Sequence, residues 1–206
     1  EGYEDPQPIG YIGKNGFEKA FDFAHETNQY RYKNSNGYDL GNINESGKGF
    51  LHLDNIGKYS CKFKNIIENI QTSHGIVFVF SQFINHGIKS LALALEENGF
   101  IKCDGNNKTS RFLDKDVHLD NRFCSTHKKF FRDLTELEKV NFNQAKYIYL
   151  DGTIDKNVID TLVKEVKGQG LDENGNFIPN LHGEHILVIL GSKVVEQGIS
   201  FFNVSF

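Results

Sequence analysis

Methionine and tryptophan are absent from the 206 residues, and proline and cysteine occur three times each. The cysteines, Cys61, Cys103 and Cys124, are far apart, which excludes a disulfide scaffold and suits a reducing, intracellular compartment. No apolar run approaches the roughly 18 residues of a membrane span. The opening residues hold no apolar signal-peptide core, so no membrane partner is expected. An excess of one charge is missing too. With 23 basic against 27 acidic residues the net charge is −4, which excludes binding by bulk positive charge and leaves room only for a local basic groove. Several motifs are also absent: G-x-x-x-x-G-K-[ST], G-x-G-x-x-G after a strand, G-x-S-x-G and H-E-x-x-H. Without the first, these residues cannot form a self-sufficient P-loop hydrolase. A chain with no methionine that begins at Glu1 and stops at Phe206 within an apolar stretch reads as an excerpt of a longer protein.

What is present describes a globular α/β domain. The length suits one domain, or one domain with an appendage, burying about 70% of its unfolded surface without metals or cross-links. Lysine outnumbers arginine 19 to 4, and 21 asparagines accompany 18 isoleucines, the usage of an AT-rich genome. Residues 1–55 are polar and rich in Gly and Asn, and read as an N-terminal linker or extension. Phe17, Ala20, Phe21 and Ala24 recur at helical spacing within it and predict a short helix over 16–28.

From about residue 56 to 206, apolar strands alternate with amphipathic helices. Residues 58–71 place Phe63, Ile66, Ile67 and Ile70 on one helical face. Residues 76–80 (IVFVF), 147–150 (YIYL) and 186–190 (ILVIL) read as strands buried on both faces. Residues 86–98 predict a helix closed by Gly99, and 155–167 a helix capped by Asp155 and stopped by Gly168. Residues 201–206 begin a possible fourth strand. The stretch 101–145 interrupts the rhythm and reads as a mostly helical or loop insertion, with a helix near 126–141. Residues 168–185 suggest a hairpin around Asn174-Gly175. Solid apolar strands alternating with helices indicate a parallel sheet flanked by helices.

Few side-chain groups suggest chemistry. His118, Cys124 and His127, with Cys103 upstream, lack the paired spacing of a zinc site, and a polar segment that happens to contain them is the better reading. Glu96-Glu97 and the acids of 133–138 read as solvated helix faces. Lys102, Lys108, Arg111, Lys115, Arg122, Lys128, Lys129 and Arg132 gather around Phe112, Phe123, Phe130 and Phe131. That mixture fits a nucleic-acid surface and a salt-bridged element with inward rings about equally well. No catalytic or metal-binding residue is assigned.

Three segments, in order, carry a resemblance. GKYSCKFKNIIENI followed by GIVFVFSQF resembles the lead-in helix and motif IV of the second RecA-like lobe of superfamily 2 helicases, with Ser81, Gln82 and Phe83 at the strand end. YIYLDGTIDK resembles the next strand and turn, with Asp151, Gly152 and Thr153. ILVILGSKVVEQGISF resembles motif V, with Ser192 and then Gly198-Ile199-Ser200. The likeness covers about residues 56–206 and is strongest to the Swi/Snf-like branch, including helicase-like ATPases and early transcription factors of large DNA viruses. HGIKSLALALEENGF strengthens the viral likeness.

The resemblance implies a RecA-like C-terminal lobe of an ATP-dependent nucleic-acid translocase. Ser81, Gln82, Gly152, Thr153 and Ser192 would contact DNA or RNA phosphates, and Gly198, Ile199 and Ser200 the nucleotide. ATP would sit against an N-terminal RecA-like lobe of the same protein, which would also hold Mg. Viral transcription machinery is a further implied partner, and the cytoplasm or virion of a large DNA virus the implied location. Ser200 stands where many members carry an acid, and the family's final arginine motif would fall beyond Phe206. The alternative is a non-catalytic RecA-like scaffold in a viral transcription or packaging complex. Independently of family, ligands of open parallel sheets sit outside the carboxyl ends of strands. Ser81, Gly152 and Ser192 are each expected just past one, where a hydroxyl or an N–H can bond a phosphate.

Overall fold

The computed structural model describes residues 13–35, 38–43, 46–171 and 177–193. Its centre is a five-stranded sheet in the order β5 (Val77–Phe80), β13 (Val188–Gly191), β10 (Lys146–Leu150), β6 (Ile101–Gly105), β7 (Lys108–Ser110). The first four strands are parallel, and β7 runs antiparallel to β6. The architecture is the α/β sheet flanked by helices that the alternation of elements predicts, consistent with the RecA-like fold that the resemblance implies.

Period-two alternation divides the core into two layers. On β10, Tyr147 and Tyr149 face one cluster with Val188, Leu190, Leu91 and Leu93, whereas Ile148 and Leu150 face the other with Ile189, Leu162 and Val166. The first layer is covered by α3 (Cys61–Thr72) and α4 (Ser90–Glu97), the second by α6 (Lys156–Lys167). Central strand β13 is buried throughout and β10 from Tyr147 to Leu150, as their solid apolar runs require. The run 76–80 differs from expectation: β5 is an edge strand, so Val77, Phe78 and Val79 are half-buried and Phe80 is exposed.

Local chemistry sets the helix ends. The Ser60 hydroxyl accepts from Phe63 N at 3.1 Å and starts α3; the Asp155 carboxylate accepts from Asn157 N at 2.8 Å and starts α6. Gly99, at φ +91°, closes α4, and a Cβ there would lie 2.6 Å from Phe123 N, so only glycine fits. The helix expected over 86–98 has two parts. Residues Ile84–Lys89 form a π-helical turn, with Ile88 N bonded to Phe83 O at 3.1 Å, and the α-helix proper begins at Ser90.

Residues 13–56 are more ordered than their composition suggests. The helix expected over 16–28 ends early: α1 is Gly13–Ala20, and the chain then enters a hairpin of β1 (Phe21–Ala24) and β2 (Gln29–Tyr32). Phe17, Ala20, Phe21 and Ala24 are all buried nonetheless, because the helix-to-strand junction keeps them on one side. After a minimal pair, β3 (Asn34–Ser35) and β4 (Tyr38–Asp39), the chain packs Leu40, Leu51 and Ile56 into the α4 layer, Ile56 closing the one-turn α2 (Leu53–Ile56).

The stretch 101–145 begins with a sheet strand, β6, that the sequence reading missed because its residues, IKCDG, are only half apolar. It continues through β7, a small hairpin of β8 (Phe123–Cys124) and β9 (Lys129–Phe130), and a helix much shorter than expected, α5 (Glu136–Val140). Strands β11 (Gly168–Leu171) and β12 (Phe177–Pro179) form the hairpin expected in 168–185. Its turn at Asn174-Gly175 and the strand expected over 201–206 lie outside the described residues.

Candidate nucleic-acid interface

Three adjacent parallel strands end on the same edge of the sheet. Past β5, Ser81 N donates to Gly191 O at 3.1 Å; past β13, Ser192 N donates to Leu150 O at 2.9 Å. Gly152 follows β10 by two residues. Ser81, Gly152 and Ser192 therefore share the carboxyl edge, in the strand order β5, β13, β10.

The three ends differ in what they offer. At β10, Asp151 is buried and its Oδ1 accepts from Thr153 N at 3.0 Å and Thr153 Oγ1 at 2.6 Å. This turn holds Gly152 and Thr153 outward and exposed. At β5, Ser81 is half-buried and its Oγ accepts from Phe83 N at 3.1 Å. Gly87 of the π turn comes so close that an added Cβ would lie 2.5 Å from Ser81 Oγ and 3.1 Å from Phe83 Cβ. Gln82, Phe83 and Ile84 are exposed beside it, and the Phe83 ring lies 4.7 Å from that of His86. At β13, Ser192 is buried and Lys193 is exposed. The nucleotide-contact candidates Gly198, Ile199 and Ser200 lie outside the described residues.

Sequence reasoning overlooked Lys89. It ends the π turn that follows Ser81, and its Nζ lies 5.6, 5.7 and 5.9 Å from the ring centroids of Tyr30, Phe112 and Tyr149. Cation–π attraction from three rings steadies this ammonium group. Tyr149 is held neutral: burial, then Asp151, pushes its hydroxyl far above the usual range.

The pair Glu96-Glu97 corrects the sequence reading most sharply. Both are buried, not solvated. Glu96 accepts from Phe112 N at 2.9 Å, Leu113 N at 2.7 Å and the Tyr147 hydroxyl at 2.5 Å. Burial pushes its carboxyl up to about 7, against these three donors, which favour the charged form. Glu97 accepts from Gly49 N at 2.7 Å, the Tyr32 hydroxyl at 3.0 Å and Lys115 Nζ at 2.8 Å. Next to them, Asn98 accepts from Leu53 N and donates to Leu51 O, both at 2.9 Å. The end of α4 thus fastens the N-terminal segment and the 111–115 segment to the sheet.

Most of the basic cluster also has a structural role. Lys102 pairs with Asp104, Lys115 with Glu97 and Lys129 with Glu138, while Lys128 donates to His182 O at 3.2 Å. The rings pack inward, with Phe123 stacked on Phe100 at 5.3 Å and Phe112 edge-on to Tyr149 at 5.0 Å. Among the described residues, Lys108 and Arg111 have no carboxylate within ion-pairing distance. Cys124 Sγ lies 3.3 Å from His127 Nδ1, but His118 is exposed on a separate turn and Cys103 packs in the α6 layer. Among the described residues, no group of three or more His, Cys, Asp or Glu could hold a metal.

No family model matches the chain, and no solved structure matches it. Two curated viral proteins do. The chain is 27% identical over 154 residues to "Putative helicase 087L" of Invertebrate iridescent virus 3, covering 73% of this chain. It is 23% identical over 154 residues to "Putative ATP-dependent RNA helicase L377" of Acanthamoeba polyphaga mimivirus, covering 71% of this chain. The chain is a distant relative of helicase-named proteins of large DNA viruses. The matches span only 12% and 13% of those proteins' lengths. Among the described residues, no helix is long and apolar enough to cross a membrane.

Proposed function

We propose that this chain is the C-terminal RecA-like lobe of an ATP-dependent nucleic-acid translocase of superfamily 2, Swi/Snf-like, from a large DNA virus, acting in the cytoplasm or virion. One observation carries the reading: Ser81, Gly152 and Ser192 end three neighbouring parallel strands on one sheet edge, in a chain related to helicase-named viral proteins. On this reading Gly152 and Thr153, with Gln82 two strands away on the same edge, present N–H, hydroxyl and amide groups to the phosphates of DNA or RNA. Ser81 and Ser192 shape the strand ends that hold this track, and Ser81 lends its hydroxyl to it. Lys89 and Lys193 supply the nearby positive charge. ATP, with Mg, is bound against an N-terminal lobe that carries the P-loop, and Gly198, Ile199 and Ser200 face that nucleotide.

One observation favours the scaffold alternative: Ser192 is buried, so its hydroxyl is not freely presented. Reconstitution separates the two readings. The 206-residue chain alone should show no ATP turnover, whereas the complete reading frame should hydrolyse ATP faster when nucleic acid is added. Robust turnover by the isolated chain contradicts the lobe assignment, and a complete frame that lacks a P-loop and ATPase activity supports the scaffold.

A further inference from the structure

An open, shallow cavity of about 410 Å3 lies at the surface where the β1–β2 hairpin meets the outer edge of the sheet. It is lined by Thr27, Gln29, Ile101, Thr109, Ser110 and Arg111. Its two walls are joined through the backbone: Tyr30 N donates to Phe112 O at 2.6 Å, and Asp114 N to Tyr30 O at 2.8 Å. Hydroxyls, an amide and a guanidinium therefore meet on segments held in fixed register.

Arg111 stands out among these groups. Among the described residues its guanidinium makes one hydrogen bond, from Nη1 to Lys115 O, long at 3.4 Å, and pairs with no carboxylate. Glu96 feels the Arg111 charge without pairing with it, and both Glu96 and Asp114 have other partners. Asp114 pairs with Arg31 Nε at 2.5 Å, and Glu96 accepts from Tyr147 and two backbone N–H groups. No carboxylate is among the lining residues, and Ile101 is the single apolar one. A guanidinium fork flanked by neutral donors matches a phosphate.

We propose that this cavity is a phosphate-binding site, with Arg111 as its charged anchor and Thr27, Gln29, Thr109 and Ser110 as neutral donors. It takes either a backbone phosphate of single-stranded nucleic acid or the phosphate of a free mononucleotide. β7 and β5 are opposite edges of the sheet, so the site is separate from the carboxyl-edge track and does not depend on that reading.

The test is an NMR titration of the full 206-residue chain with inorganic phosphate, adenosine monophosphate and a short single-stranded oligonucleotide, for wild type and Arg111→Gln. The backbone amides of Gln29, Thr109 and Ser110 and the Arg111 Nε–H should shift with at least one probe. Arg111→Gln should weaken that binding about 10-fold or more, as expected when one charge-assisted pair is lost. Saturation by inorganic phosphate or adenosine monophosphate identifies the free-phosphate source; saturation by the oligonucleotide alone identifies the nucleic-acid backbone. If Arg111→Gln does not fold, a Thr27→Val, Ser110→Ala double variant should weaken binding several-fold. The proposal is overturned if no probe shifts these signals, or if affinity survives the substitution tested.

Discussion

The Tyr147 hydroxyl and Glu96 Oε1 lie 2.5 Å apart in the interior, linking the last turn of α4 to the central strand β10. Phe112 N and Leu113 N complete the coordination of this carboxylate. Glu96→Ala would strand three buried donors, each costing about 1–3 kcal/mol when left unpaired. It should lower unfolding stability by at least about 3 kcal/mol in urea titrations, and Glu96→Gln, which keeps one acceptor oxygen, by less.

The same carboxylate makes stability depend on pH. Its folded value of about 7 lies above the usual 4.5, so between these values the folded chain holds a proton that the unfolded chain has released. The stability it contributes is fully present below pH 4.5 and is lost as pH rises to 7. His52 and His185, both lowered by burial, act in the opposite direction over part of this range. The stability difference between wild type and Glu96→Gln isolates Glu96. Measured by denaturant unfolding, this difference should fall from pH 4.5 to pH 7 and then level off.

Gly87 and Ser81 form the tight contact at the end of β5. Gly87→Ala would place a methyl group 2.5 Å from Ser81 Oγ and should destabilise the fold by about 1–3 kcal/mol, the usual cost of overpacking. Amide exchange at Phe83 N, which donates to Ser81 Oγ, should speed up first. Adding Ser81→Ala should recover part of the loss, because it removes the closest atom while the Cβ contact at 3.1 Å remains.

A chain lacking residues 1–56 should not keep a stable sheet. The deletion removes Phe17, Phe21, Leu40, Leu51 and Ile56 from the core and takes Gly49 N, Leu53 N and the Tyr32 hydroxyl away from Glu97 and Asn98. Each lost large side chain forgoes about 1.5–3 kcal/mol of burial. Circular dichroism and limited proteolysis should show a molten or aggregating product, where a dispensable linker would leave a cooperative thermal transition.

The legible parts of the fold share one property: their burial follows a simple period. IVFVF, YIYL and ILVIL are apolar because β5, β10 and β13 form the sheet interior or pack against it, and Asp155 and Gly99 mark helix ends by local bonding. β6 was hidden because its neighbours are half polar: Lys102 and Asp104 pair on the strand, and Cys103 is its inward residue. The burial of Glu96 and Glu97 could not be read because their donors come from residues 32, 49, 112, 113, 115 and 147, distant in sequence. LALALEEN does carry one signal, since continuous apolarity with no solvent face implies that the acids continuing the helix are enclosed too. The strand-end residues were legible because each follows an apolar run. Lys89 was not, because its three aromatic neighbours meet only in the folded chain.

The central claim is that the carboxyl edge of the sheet meets nucleic acid. Titrating the isotope-labelled 206-residue chain with single-stranded and duplex oligonucleotides, while following backbone amides, tests it directly. The account predicts weak binding that shifts the amides of Ser81, Gln82, Gly152, Thr153 and Ser192 together and fades as salt is raised, because released counterions supply the affinity. Binding that leaves all five unmoved, or no binding at low salt by either form, would contradict it.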